Sequence, residues 1–162
     1  MDIKRVQGSK DVSLLECVNP RRNKWRIRWD VKTDADGVTT YAECEFSRKP
    51  TVEDVRQLIT SWSNQQTDQA ILSGFSYNGA LVWLSAENQL NYKMAYDLAV
   101  QTNGATLPVT FKLGSEDVPV YQQFTSLSVL DAFYRAVVAH IQNALQEGWN
   151  FKDGFDFSPY DI

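Results

Sequence analysis

Histidine is almost missing from this chain. His140 is the only one in 162 residues, so any imidazole base or imidazole metal ligand falls on that single position. Cysteine is nearly as scarce. Cys17 and Cys44 lack the C-x-x-C spacing of a metal or redox site, and both read as small buried hydrophobes. There is no glycine-rich phosphate loop and no zinc-type ligand cluster, so no cofactor is expected. No apolar run approaches the roughly 20 residues that span a bilayer. Met1-Asp2-Ile3-Lys4-Arg5-Val6 holds no apolar segment of the secretory-signal kind. These absences predict a cytoplasmic protein with no membrane partner.

What is abundant is aromatic. Hydrophobic residues make up 43% of the chain and aromatics 12%, with five Trp, seven Tyr and eight Phe, enough to build a core and to argue against disorder. The net charge of −4 is unevenly spread. Residues 1–50 carry 11 Lys or Arg against 8 acids, and residues 51–162 carry 5 against 12. Phosphate repulsion therefore makes the second part a poor nucleic-acid binder.

Periodicity predicts an α+β protein. Three strands open it, over residues 12–18, 25–31 and 38–46, as an antiparallel meander. In the second, Trp25, Ile27, Trp29 and Val31 point to one face while Arg26, Arg28 and Asp30 point to the other. Pairing Arg28 with Glu43 and Arg26 with Glu45 avoids opposing Asp30 and Glu43, which favours a four-residue loop over residues 34–37. Thr51 with Asp54 resembles a short-armed capping box before a helix carrying Val52, Val55, Ile59 and Trp62. The polar residues 63–69 either end that helix or carry it exposed to Gly74. A domain boundary is placed there, giving a β-meander and helix subdomain over residues 1–66 and a second domain over 67–162.

The second domain reads as hairpin, helix, hairpin, long helix. Asn78-Gly79 is the strongest hairpin signal, because a type I′ turn needs positive φ at both central residues. Ser85 caps a helix with Leu90, Met94 and Leu98 at i+4 steps, stopped by Asn103-Gly104. Strands over residues 107–113 and 118–124 precede a helix from about residue 126 to 147. Two neighbouring apolar stripes on it, one through Leu130 and Val137 and one through Phe133 and His140, predict deep burial or a partner, with Gly148 as its end. An aromatic and acidic tail follows.

Chemistry is thinly represented. His140 shares a face with Phe133, Ala136 and Ala144 and reads as a hydrogen-bonded residue at the core margin. A small hydrolase would need it in a cleft beside a carboxylate or hydroxyl. Gly74-Phe75-Ser76-Tyr77-Asn78-Gly79 is one residue too long for the nucleophile elbow G-x-S-x-G. Asp34-Ala35-Asp36-Gly37 has glycine at the fourth position, where a calcium loop needs it at the sixth, and reads as a turn. Asp153, Asp156 and Asp161 read as a solvated tail. Arg21, Arg22, Lys24, Arg26 and Arg28 form the one basic patch. A single-strand binder would stack bases on aromatics beside it, yet alternation sends Trp25 and Trp29 to the opposite face.

The order of pieces in the second domain carries a resemblance. Ser73-Gly74-Phe75-Ser76-Tyr77-Asn78-Gly79 comes first, then Ser85-Ala86-Glu87-Asn88-Gln89 opening a helix. Leu107-Pro108-Val109-Thr110-Phe111 and Phe124-Thr125-Ser126-Leu127 follow, and then Val137-Val138-Ala139-His140-Ile141. Over about residues 73–152 the chain resembles a domain of unknown function found in bacteriophage and prophage proteins of the tail and tail-fibre-assembly type. The resemblance implies a non-enzymatic, tail-related structural or assembly role through protein partners or self-association, in the cytoplasm or incorporated in a phage particle. It supplies no catalytic residues. Candidate partner contacts are the long final helix and Trp149, Phe151, Phe155, Phe157 and Tyr160, since aromatics are frequent interface anchors. A single-stranded nucleic-acid binder using the Arg21 to Arg28 patch is the alternative.

Overall fold

A computed structural model describes residues 2–161 and shows an α+β protein of two compact units. The first comprises residues 2–61 together with 154–161, and the second is Trp62–Asp153. This departs from a simple division at residue 66. The helix α1, Val52–Ser73, runs unbroken through the polar stretch and passes from one unit to the other. The tail, expected in the second domain, belongs to the first unit.

In the first unit, β1 (Ile3–Gln7), β2 (Leu15–Asn19), β3 (Lys24–Thr33) and β4 (Thr39–Phe46) form one antiparallel sheet in the order β1-β4-β3-β2. The predicted meander is β2 to β4. The extra edge strand, β1, has no clean alternation and carries Lys4 and Arg5, the kind of charge that edge strands tolerate. Charge fixes the register of β3 on β4, with Arg26 opposite Glu45 and Arg28 opposite Glu43.

The alternation fails at one point. Trp29 pairs with Ala42 and Lys32 with Thr40, so Asp30 and Val31 together oppose Tyr41. This is a bulge, with Asp30 in the left-handed region at φ 52°. It turns Val31 out to 37% exposure, where alternation alone assigns it to the core. Ile27, Trp29, Ala42, Cys44 and Phe46 are buried, with Val55, Leu58 and Ile59 of α1. Both cysteines are free, and burial pushes the Cys44 thiol up. Thr51 and Asp54 form the reciprocal cap: the Asp54 amide donates to Thr51 Oγ1 at 3.1 Å and the Thr51 amide to Asp54 Oδ2 at 2.7 Å.

The second unit begins with the C-terminal part of α1. The hairpin of β5 (Phe75–Tyr77) and β6 (Ala80–Val82) closes on Asn78 and Gly79, with φ of 49° and 79°, as a type I′ turn requires. Helix α2, Ala86–Gln101, is capped by Ser85, whose hydroxyl accepts from the Asn88 amide at 3.3 Å. Strands β7 (Val109–Gly114) and β8 (Pro119–Phe124) form a second hairpin before α3, Leu127–Asp153. Phe133 sits at the centre, fully buried, with the rings of Tyr77, Tyr92, Phe111 and Phe124 at centroid distances of 5.0, 5.2, 5.8 and 4.9 Å.

Gly148 does not end α3, which continues to Asp153. Its role is close approach. A Cβ at Gly148 would collide with Thr67 Oγ1 of α1, and Ser63, 3% exposed, reaches the Gly148 carbonyl at 3.5 Å.

Candidate functional site

The five aromatic candidates are scattered by the fold. Tyr160 lies in a short 3-10 turn, Ser158–Tyr160, and is 3% exposed. Its hydroxyl donates to the Arg28 carbonyl at 2.6 Å, and burial holds its pKa far above the ordinary phenol value. Tyr160 is thus a core residue of the first unit and no partner contact. Phe155 and Phe157 lie 4.7 Å apart, ring to ring, and Phe155 lies 6.0 Å from Tyr160. The Arg56 guanidinium stands 4.2 Å over the Phe157 ring, within cation–π range. Phe151 packs on Trp62 at 5.4 Å. Trp149 alone of the five is half exposed, at 50%. It flanks a shallow cleft of about 210 Å³ whose wall includes Asn64, Thr67, Asp68 and Lys152.

The strand residues of the basic patch, Lys24, Arg26 and Arg28, are paired with acids of their own sheet. Arg26 pairs with Glu45 at 2.6 Å and Glu43 at 3.6 Å, and Lys24 also pairs with Glu45. Arg28 is 6% exposed, which the outward reading of its face missed. It meets Glu16 at 2.8 Å, Glu43 at 3.3 Å and the Ser13 carbonyl at 2.8 Å, with its guanidinium 5.7 Å from the Tyr41 ring centre. Hydrogen bonds from Lys24 and Arg26 hold the Glu45 carboxyl at about 2. Trp29 is 1% exposed, so it offers no platform for a base. Arg21 and Arg22 lie on the turn Pro20–Arg22, and among the described residues no acid pairs with them.

His140 lies at the core margin, as the sequence suggests. Its Nε2 is 2.9 Å from the Ala70 carbonyl and its ring 5.3 Å from that of Phe75. Neither of these neighbours is a carboxylate or hydroxyl. No group of three or more His, Cys, Asp or Glu poised for a metal occurs among the described residues. Nor is any helix among them long and apolar enough to cross a membrane.

A larger groove, about 570 Å³, lies beside Trp83, which is 44% exposed, and is lined also by Leu81, Asn88, Lys112, Glu116 and Asp117. An exposed apolar surface lies on α2. Leu90, Met94 and Leu98 are 58%, 62% and 50% exposed, although i+4 spacing reads as a core stripe. The face that packs is Tyr92, Ala95, Tyr96 and Ala99, with Tyr92 and Ala99 buried. Those four follow the helical repeat as well as the leucines do, and they include two large aromatic rings. That is the signal that distinguishes the two faces.

Compared with family models, curated proteins and solved structures, the chain matches none. The phage-domain resemblance therefore rests on the order of its own motifs.

Proposed function

We propose that the protein is a non-enzymatic phage or prophage component acting in tail structure or assembly by contact with other proteins. One observation carries the reading: residues 73–152, which bear the resemblance, fall within a single compact unit, Trp62–Asp153. A motif order confined to one self-contained body is what a transferable assembly module needs. Trp149 gives that unit an anchor for a partner, a half-exposed indole at the rim of a small cleft on α1 and α3. Tryptophan is among the residues most enriched at interface hot spots. The contact surface thus narrows from the whole aromatic tail to this indole, because the other four rings pack within their own units.

The test is genetic and structural. In the phage or prophage genome that encodes the chain, its deletion is expected to yield particles with absent or stunted tails in negative-stain electron micrographs, and Trp149→Ala to reproduce part of that defect. Fully tailed, infectious particles from the deletion would overturn the reading.

A further inference from the structure

Helix α2 presents an apolar stripe to solvent on the side opposite its packed face. Leu90, Met94 and Leu98 are all at least half exposed, and successive i+4 residues form a continuous row on a helix. Lys93 and Asp97 lie on one flank of the row and are bonded to each other at 2.6 Å. Asn91 lies on the other flank.

We infer that this row pairs with the same row of a second copy, antiparallel, about a two-fold axis through Met94. The row is nearly symmetric about that residue. The axis brings Met94 onto Met94 and Leu90 onto Leu98, and it sets Glu87 against Gln101. The same operation keeps like flanks together, so the Lys93 and Asp97 flanks of the two copies meet. With a rise of about 1.5 Å per residue, Asp97 and the second copy's Lys93 lie within about 3 Å of each other along the axis. Each lysine thus stands between its own Asp97 and that of the second copy, and the pattern is self-complementary in charge as well as in apolar surface. A parallel arrangement sets this flank against Asn91 and gains no ion pair. An isologous contact of this kind closes on itself as a dimer.

The patch is small. Three exposed apolar side chains and their flanks fall short of the roughly 20–30 residues a side of a standard interface, so the pair is weak and forms at high local concentration. Its existence is independent of the proposed tail role, which rests on Trp149 and the motif order.

Sedimentation equilibrium of the full chain from low micromolar to near-millimolar concentration tests it. The wild type is expected to follow a monomer–dimer equilibrium. Met94→Glu, which sets two carboxylates on the axis, should raise the dissociation constant at least tenfold. Lys93→Asp alone should weaken the dimer, and Lys93→Asp with Asp97→Lys should restore it, because the exchanged pattern is again self-complementary. Lys93 and Met94 are exposed and Asp97 is half-buried, and far-ultraviolet circular dichroism checks that each variant keeps its helix content. A wild type monomeric throughout, or a dimer that Met94→Glu leaves intact, would overturn the pairing. Failure of the double exchange to restore association would overturn its antiparallel register.

Discussion

The two units of this chain are held by different means. In the first, an apolar core lies on one side of a four-stranded sheet, and the other side is laced by Arg26, Arg28, Glu16, Glu43 and Glu45. In the second, four aromatic rings meet around the buried ring of Phe133. Ring packing is insensitive to acid and salt, whereas a carboxylate network depends on its protonation state. One chain therefore contains two stabilities with different controls.

Four perturbations separate them, read most directly by hydrogen exchange and mass spectrometry on peptides from β3–β4 and from β7–α3. The largest effect is expected from Phe133→Ala, which empties the ring cluster and should cost the second unit about 3–5 kcal/mol, with exchange in β3 and β4 changed far less. Equal loss of protection in both sets of peptides would show that the units unfold as one. Next comes Arg28→Met. Removing the buried cation leaves Glu43, among the described residues, only the 3.6 Å ion pair with Arg26, and about 3 kcal/mol should be lost from the first unit. Tyr160→Phe is milder, about 1–2 kcal/mol, because it strands one carbonyl while keeping the ring. Its mark should fall on β3 peptides although the substitution is 132 residues away from Arg28.

The smallest and most selective perturbation is acid. Lys24 and Arg26 hold the Glu45 carboxyl at about 2, below its ordinary 4.5, and Arg48 holds Asp54 well below the usual range. A carboxyl depressed in the folded state contributes stability that is fully present above its unfolded pKa and lost as pH falls towards the folded value. The first unit should therefore loosen progressively between about pH 4.5 and 2. Glu87 and Asp131 in the second unit are also held low, by backbone and Ser85 hydrogen bonds and by Arg135 and Tyr96 respectively. The comparison is sharpened if β3 peptides lose protection at a higher pH than α3 peptides, and it breaks if the order reverses.

Local chemistry was readable in the chain to the extent that neighbours decide it. The turn at Asn78-Gly79, the cap at Thr51 and Asp54, and the opposition of Arg28 to Glu43 all depend on residues close in sequence or on charge paired across one hairpin. The features that escaped depend on distant segments. Asp30 adopts positive φ while Arg5 holds its carboxylate at 2.6 Å from β1. Gly148 reads as a helix stop and instead admits Thr67, 81 positions earlier in the chain. Burial of Arg28 involves Glu16, Tyr41 and the tail residue Tyr160, from three separate stretches. On α2 two apolar rows compete, and spacing alone cannot choose between leucines and rings. Of the contact candidates, Trp149 differs from the other four in being 50% exposed, a difference that no spacing in the sequence marks.

The order of synthesis gives the return of residues 154–161 to the first unit a temporal meaning. A ribosome delivers every residue of the ring-cored unit before it delivers Tyr160, so the body that starts first is the one that finishes last. A nascent chain halted near Asp153 would carry a complete second body and a sheet still lacking its closing phenol, so a truncation there would be felt in strands translated long before it.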